Sequence, residues 1–317
     1  MKYFLTRRLP LALLVIVAGS IAAFLVPRLS PGDPAAAIVG QNASEEVYLA
    51  VRQELGLDLP LWQQYGTWVA GLFRGDLGTS FATGRPAAQL IGARIEATAE
   101  LAVAGMLIMI VVGFAVASVG ATTRRRALRG SIDAVTGALL AVPAFLIGLA
   151  LIIVFGIFWP VLPVSGTVTV SEDPVLGLRY LILPAITVAI IPTIVFIRLV
   201  QAQMRQIKGE EFVATAIVKG IPDSKVRSRH IRRNALGPAI VVAGVIFGEL
   251  LGGAVMVEYI FGRDGLGSLA VASVANRDYM VTQVLILGAV VVAVVIQLTS
   301  ELVQATVDPR VRLGKEG

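Results

Sequence analysis

Residues 211–238, EFVATAIVKGIPDSKVRSRHIRRNALGP, form a polar island between two membrane-length apolar runs. Glu211–Val218 is small and apolar, Gly220 follows Lys219, Pro222 turns the chain, and a basic stretch leads to Pro238. This order predicts a short helix stopped by a glycine, a proline turn and a second, basic helix. Such an element suits docking, since a partner that seats it pushes the spans behind it. Small side chains at Ala214, Thr215 and Ala216 let the helix sit deep in a receiving groove, and Gly220 adopts positive φ without strain.

Composition fixes the class. Of 317 residues, 56% are hydrophobic and 15% charged, and the mean hydropathy of +0.81 lies far above that of a soluble domain. The expected fold is all-α and integral to a membrane. Cysteine is absent, which rules out a disulfide framework, a thiol nucleophile or a cysteine zinc site, and the single histidine, His230, forms no metal cluster by itself. The net charge of +6 collects beside the apolar runs, as membrane orientation demands, so it does not point to nucleic acid.

Six runs reach the roughly 20 residues needed to cross the hydrocarbon core. They lie near residues 9–29, 98–120, 134–158, 180–201, 237–257 and 281–303. Lys2, Arg7 and Arg8 precede the first as in a signal peptide, but it continues into Pro27-Arg28-Leu29-Ser30-Pro31-Gly32 without a small-residue cleavage site, so it reads as a retained span. Arg124, Arg125, Arg126 and Arg129 crowd one short loop, and Arg205 to Arg233 crowd another. The alternate loops are nearly free of positive charge, so the basic loops and both termini, with Arg310, Arg312 and Lys315, are expected in the cytoplasm.

The resulting plan is a first span with its outer loop over 1–97, a five-span core over 98–303 containing the docking loop 202–236, and a tail over 304–317. The outer loop is long enough to carry structure. A helix is expected from Ser44 to Gly56, with Val47, Leu49, Val51 and Leu55 on its apolar side, and another after Pro60 with Trp62, Tyr65, Trp68 and Phe73 at near-helical spacing. Asn42-Ala43-Ser44 formally matches a glycosylation acceptor, a weak three-residue signal.

Charges inside spans are costly and mark cavities or partners. Glu249 lies midway along the fifth run and is read either as a carboxylate lining a pathway or as a group at the interface with a second subunit, beside Gly252 and Gly253. Arg198 and Glu301 sit near span ends and read as structural. The outer segment Glu258-Tyr259-Ile260-Phe261-Gly262-Arg263-Asp264-Gly265-Leu266-Gly267 predicts a tight turn and a short amphipathic helix.

Together, several stretches carry a resemblance: Arg28 to Pro34, Leu55 to Tyr65, Gly75-Asp76-Leu77-Gly78-Thr79-Ser80-Phe81, Leu162-Pro163-Val164-Ser165-Gly166, Leu183-Pro184, Gly252-Gly253-Ala254-Val255, Glu258 to Gly267, Asn276-Arg277-Asp278-Tyr279 and Val307-Asp308-Pro309-Arg310. Nearly the whole chain resembles the permease subunits of ATP-binding-cassette importers of the dipeptide, oligopeptide and nickel uptake group. The resemblance implies a bacterial inner-membrane subunit forming half of a pathway, with a second, similar permease, two ATPase subunits and an extracytoplasmic binding protein, set among membrane lipid. ATP and Mg are then held by the partner ATPases and no cofactor by this chain, which has no Gly-rich loop ending in Gly-Lys-Ser or Gly-Lys-Thr.

By the same resemblance, Glu211, Phe212, Ala214, Thr215, Ala216, Lys219, Gly220 and Pro222 form the coupling segment, and Glu258, Gly262, Asp264, Gly265 and Gly267 belong to the outer gate. Ala214 stands where an acidic residue is usual and Asp264 where a proline is common. ATP-driven motion of the docking helix is expected to tilt the spans about Pro184, Pro192 and Gly252-Gly253. Peptide cargo is the leading expectation, with nickel or another small solute as the alternative. An ion-coupled carrier would show inverted repeats and several intramembrane charges, and a membrane hydrolase would need a paired nucleophile and base; the sequence shows neither pattern.

Overall fold

The computed structural model of the chain describes residues 8–29, 32–40 and 43–307. Lys2, Arg7, Asn42, Asp308-Pro309-Arg310, Arg312 and Lys315 lie outside the described residues. The described elements are helices: α1 (Leu9–Leu29), α2 (Pro34–Val39), α3 (Glu45–Glu54), α4 (Leu61–Phe73), α5 (Ala87–Thr122), α6 (Arg126–Leu140), α7 (Ala144–Phe158), α8 (Pro174–Lys208), α9 (Glu211–Val218), α10 (Asp223–Ile260), α11 (Leu266–Ala275) and α12 (Tyr279–Val307). Five are long and apolar enough to cross a membrane, or six if α6 and α7 count as one span.

That pair corrects the expectation of a single run over 134–158. The helix breaks after Leu140 and turns by 96° before Ala144. The cause is Pro143, which lacks an N–H for the helix ladder and drives the residue before it out of helical conformation.

The chain divides into two compact units, Met1–Thr98 with Asp264–Val295, and Ala99–Arg263 with Ile296–Gly317. In the first, Ser44 Oγ caps α3 by accepting from Val47 N at 3.4 Å, Gly56 ends that helix at φ +64°, and Pro60 starts α4. Asp33 caps α2 and also accepts from the Tyr48 hydroxyl at 2.8 Å and from Arg52. The Tyr48 hydroxyl, with the Asp33 carboxylate beyond it, holds the Arg52 guanidinium above its ordinary pKa. Tyr65 and Trp68 turn onto Phe24 of α1, the Tyr65 ring edge-on at 5.3 Å, whereas Trp62 and Phe73 stay exposed. A knot of polar bonds joins distant stretches: the buried Asp278 accepts from Ser80 Oγ, from Phe81 N at 3.1 Å and from Val281 N at 3.3 Å, and Tyr279 donates to the Gly32 carbonyl at 2.8 Å.

In the second unit α8 is the central post. Of its most apolar window 67% is buried inside the chain, against 11% for α1. Its neighbours approach closely because they present glycine: a Cβ at Gly105 or Gly113 of α5 would come 2.8 Å from Val188 or 2.7 Å from Phe196, and one at Gly148 of α7 would come 2.9 Å from Thr187. Pro184 and Pro192 are both buried within α8. At the far end from α9, Arg263 is fully buried and donates to Glu100 Oε2 at 2.7 Å, while Glu100 Oε1 accepts from Val170 N at 2.7 Å.

Two substitutions test these knots. Asp278→Ala leaves the Ser80, Phe81 and Val281 donors without their acceptor, and a loss of about 2–4 kcal/mol is expected from the cost of unmade buried bonds, read as a lower midpoint in thermal denaturation of the detergent-solubilised chain. Arg263→Met strands the Glu100 carboxylate and is expected to cost about 3–5 kcal/mol. Adding Glu100→Gln to it recovers part of that loss, whereas strictly additive losses would show that the two side chains do not act as a pair.

Candidate functional site

Helix α8 carries its Gln- and Arg-rich end on to Lys208, and Gly209 caps it. A short turn leads into α9, whose end has the bond pattern of a glycine stop: Gly220 N donates to the Ile217 carbonyl at 2.9 Å and Ile221 N to the Ala216 carbonyl at 3.1 Å, with Gly220 at φ +74°. Pro222, at φ −56° and ψ 141°, opens α10. The expected basic helix and fifth span prove to be one 38-residue helix, so 202–236 is a helical crossing between two rods and not a loop. Residues Val226–Arg232 adopt wide, π-type turns, and Pro238 is accommodated inside the helix.

The faces of α9 separate sharply. Val213 and Ala216 are buried in the same core as Val226, Ile231 and Ala235. Ala216 packs on its own chain, three residues after Val213 on the inward side of the helix, so of the three small residues Ala214 and Thr215 are the exposed ones. Glu211, Phe212, Ala214, Thr215, Lys219, Gly220 and Pro222 are exposed. So are two residues the sequence reading did not single out, Ile217 at 57% and Val218 at 87% of full exposure. With Phe212 at 44%, they give the outer side of α9 three exposed apolar side chains within a charged segment. Around it, Asp223 pairs with Arg124 and with Arg227 at 3.1 Å, the His230 ring lies 6.4 Å from that of Phe212, and Lys225, Arg229 and Arg233 are exposed.

Farther along α10, Glu249 is exposed, and it forms no ion pair among the described residues. Gly248 and Gly252 open onto free space, while Gly253 faces Val188 of α8, where an added Cβ would lie 3.7 Å away. Glu249 is thus not the buried carboxylate of this helix. That residue is Glu258, fully buried near its end, where a polar turn and not solvent receives it; the Arg263 N–H donates to its main-chain carbonyl at 2.8 Å.

The segment after Glu258 behaves as the turn foreseen. Gly262 takes φ +58° and sits so close to Ser165 that a Cβ would meet its Oγ at 2.7 Å, and Phe261 O accepts from Gly166 N at 3.0 Å. Asp264 pairs with Arg94 at 2.7 Å, Gly265 precedes α11 in an extended conformation, and Gly267 is buried. Leu266 N donates to Thr98 Oγ1 at 2.8 Å, so the start of α11 is capped from α5. Helix α11 is apolar throughout its length and not amphipathic as expected, its sequence LGSLAVASVA lacking a charged face. The pairing of Arg263 with Glu100 escaped the sequence reading; the available signal was one charge of each sign at the margins of apolar runs. Among the described residues no group of three or more His, Cys, Asp or Glu is placed to hold a metal.

Comparison with known proteins agrees along the whole chain. Residues 1–108 match the N-terminal model, and residues 109–313 the main model, of the binding-protein-dependent transport system inner membrane component. The chain is 34% identical over 313 residues to a probable peptide ABC transporter permease protein of Sinorhizobium fredii, covering 98% of this chain and 100% of that one. A putative peptide transport system permease protein of Brucella abortus is 35% identical over 314 residues, with 98% and 99% covered. The dipeptide transport system permease protein of Escherichia coli K12 is 32% identical over 341 residues, with 98% and 99% covered. With both family models matched and relatives aligned end to end, the chain belongs to the inner-membrane components of binding-protein-dependent ABC transport systems.

Proposed function

We propose that this chain is a permease subunit of an ABC importer for peptides, supplying half of the translocation pathway. The observation that carries the reading is full-length similarity to relatives named for peptide and dipeptide transport. Six spans, counting α6 and α7 as one, cross a bacterial inner membrane with both termini in the cytoplasm, a topology supported by the arginine-rich loops. In functional terms the chain comprises the first span and outer loop (1–97), the permease core (98–303) and a cytoplasmic tail (304–317).

Two separate ATPase subunits bind ATP and Mg and drive the cycle. They seat α9 and its flanks through Phe212, Ala214, Thr215 and Lys219, with Ile217 and Val218 added to the contact; Glu211, Gly220 and Pro222 set its ends. A second, similar permease completes the pathway along the open side of α10 at Glu249 and Gly252, with Gly253 fitting that helix to α8. A binding protein delivers cargo to the outer end, where Glu258, Gly262, Asp264, Gly265 and Gly267 shape the gate.

Co-purification with the separately encoded ATPases tests the coupling surface. Val218→Asp and Ala214→Arg alter exposed side chains and are expected to lower ATPase recovery at least tenfold, on the scale of a lost interface anchor, with the helices intact by circular dichroism. Equal recovery with wild type and both variants would remove α9 as the seat. Peptide uptake by cells tests the hinge: Gly253→Leu crowds Val188, and Pro192→Ala restores the ladder N–H that proline lacks within α8. Each is expected to slow uptake severalfold while ATPase recovery is unchanged; if neither does, motion is not centred there.

A further inference from the structure

A groove of about 520 Å³ runs between α5, α6 and α8. Its walls are Ile108, Val112, Ile132, Val135, Leu139 and Ile190 with their neighbours. Two of the hydroxyl groups beside them are engaged by their own helix, Ser131 Oγ donating to the Ala127 carbonyl at 3.0 Å and Thr136 Oγ1 to the Ile132 carbonyl at 2.8 Å, while the Thr193 hydroxyl is buried and has no hydrogen-bond partner among the described residues. The groove wall is therefore almost wholly hydrocarbon.

One end of this apolar face is charged. Leu128 and Arg129 precede Ile132, Val135 and Leu139 at steps of three and four residues, so they continue the same stripe of α6 by one turn, and Arg125 stands just before the helix as its N-cap residue. Arg125 and Arg129 are exposed, and neither forms an ion pair among the described residues; Arg129 donates one bond to the Thr123 carbonyl at 3.0 Å. From Arg129 to Leu139 the helix rises about 15 Å, the depth of half a hydrocarbon core. Length, apolar lining and a cationic mouth describe a lipid in one leaflet.

We propose that this groove holds an acyl chain of an anionic phospholipid whose headgroup phosphate rests on Arg125 and Arg129. Basic residues at the mouth of a crevice between membrane helices select negatively charged headgroups over zwitterionic ones. The lipid would wedge against the last turns of α6, next to the point where the chain bends by 96°, and so brace an elbow at which Pro143 supplies no N–H to continue the helix ladder. This site stands apart from the peptide reading, since it requires only that the chain spans a bilayer.

The chain contains no cysteine, so Val135→Cys places a single photoreactive maleimide label in the groove of the assembled transporter, reconstituted in vesicles of phosphatidylglycerol and phosphatidylcholine. The label is expected to capture phospholipid, with phosphatidylglycerol favoured by about thirtyfold from two arginines at the membrane surface. Arg125→Gln with Arg129→Gln should reduce that preference to near parity, and Arg125→Lys with Arg129→Lys should preserve most of it. Equal capture of the two lipids by the unaltered arginines would reduce the groove to ordinary lipid contact. Capture of a neighbouring polypeptide would assign it to a subunit interface, and either result overturns the proposal.

Discussion

In a bilayer every main-chain N–H and C=O must be satisfied within the protein, because hydrocarbon offers no substitute for water. For this chain the constraint falls hardest on α8, whose most apolar stretch is 67% buried yet which carries Pro184 and Pro192, each of which removes a ladder donor. The remedy is close enclosure. Gly105, Gly113 and Gly148 let α5 and α7 approach until side chains of α8 fill the space a Cβ would occupy, and dispersion between well-fitted helices takes the place of a hydrophobic drive that lipid cannot supply. The groove, the docking helix and the outer turn are all set out around that post.

Polar groups are placed by the same economy of partners. Glu100 meets both the buried Arg263 and the Val170 amide, and Asp278 gathers two donors from the distant Ser80-Phe81 stretch and one from Val281 beside it. Such bonds fix loops whose apolar area is too small to hold them. Glu249 stands in contrast, a mid-helix carboxylate that no side chain of the described fold engages by an ion pair, flanked by glycines open to space. The described fold leaves that carboxylate on an outward face of α10.

Much of this was legible in the sequence, for physical reasons. Long apolar runs, the serine cap at Ser44, the proline start at Pro60 and the glycine stop at Gly220 are local signals, and each is realised where local chemistry puts it. Helix ends inside the basic segments were less legible: Arg, Lys and Gln favour helix as well as solvent, so α8 and α10 run well past their apolar windows. The elbow before Ala144 was masked because hydropathy does not register direction. The inward turn of Ala216, the exposure of Val218 and the pairing of Glu100 with Arg263 depend on which helix lies opposite, and one-dimensional spacing carries no such information.

The glycine stop at Gly220 has a mechanical meaning. It ends α9 crisply, and Pro222 starts a rod of 38 residues that by helical rise is about 57 Å long. Gly209 lies at the other end of α9, so this short crossbar is jointed at both ends while Val213 and Ala216 pin its middle to the core. A rod of that length pivoting about its lower end moves its far tip by about 5 Å for a tilt of roughly 5°. In a helix of this length, a few degrees of angle at the Pro222 turn therefore correspond to about 5 Å at Glu258.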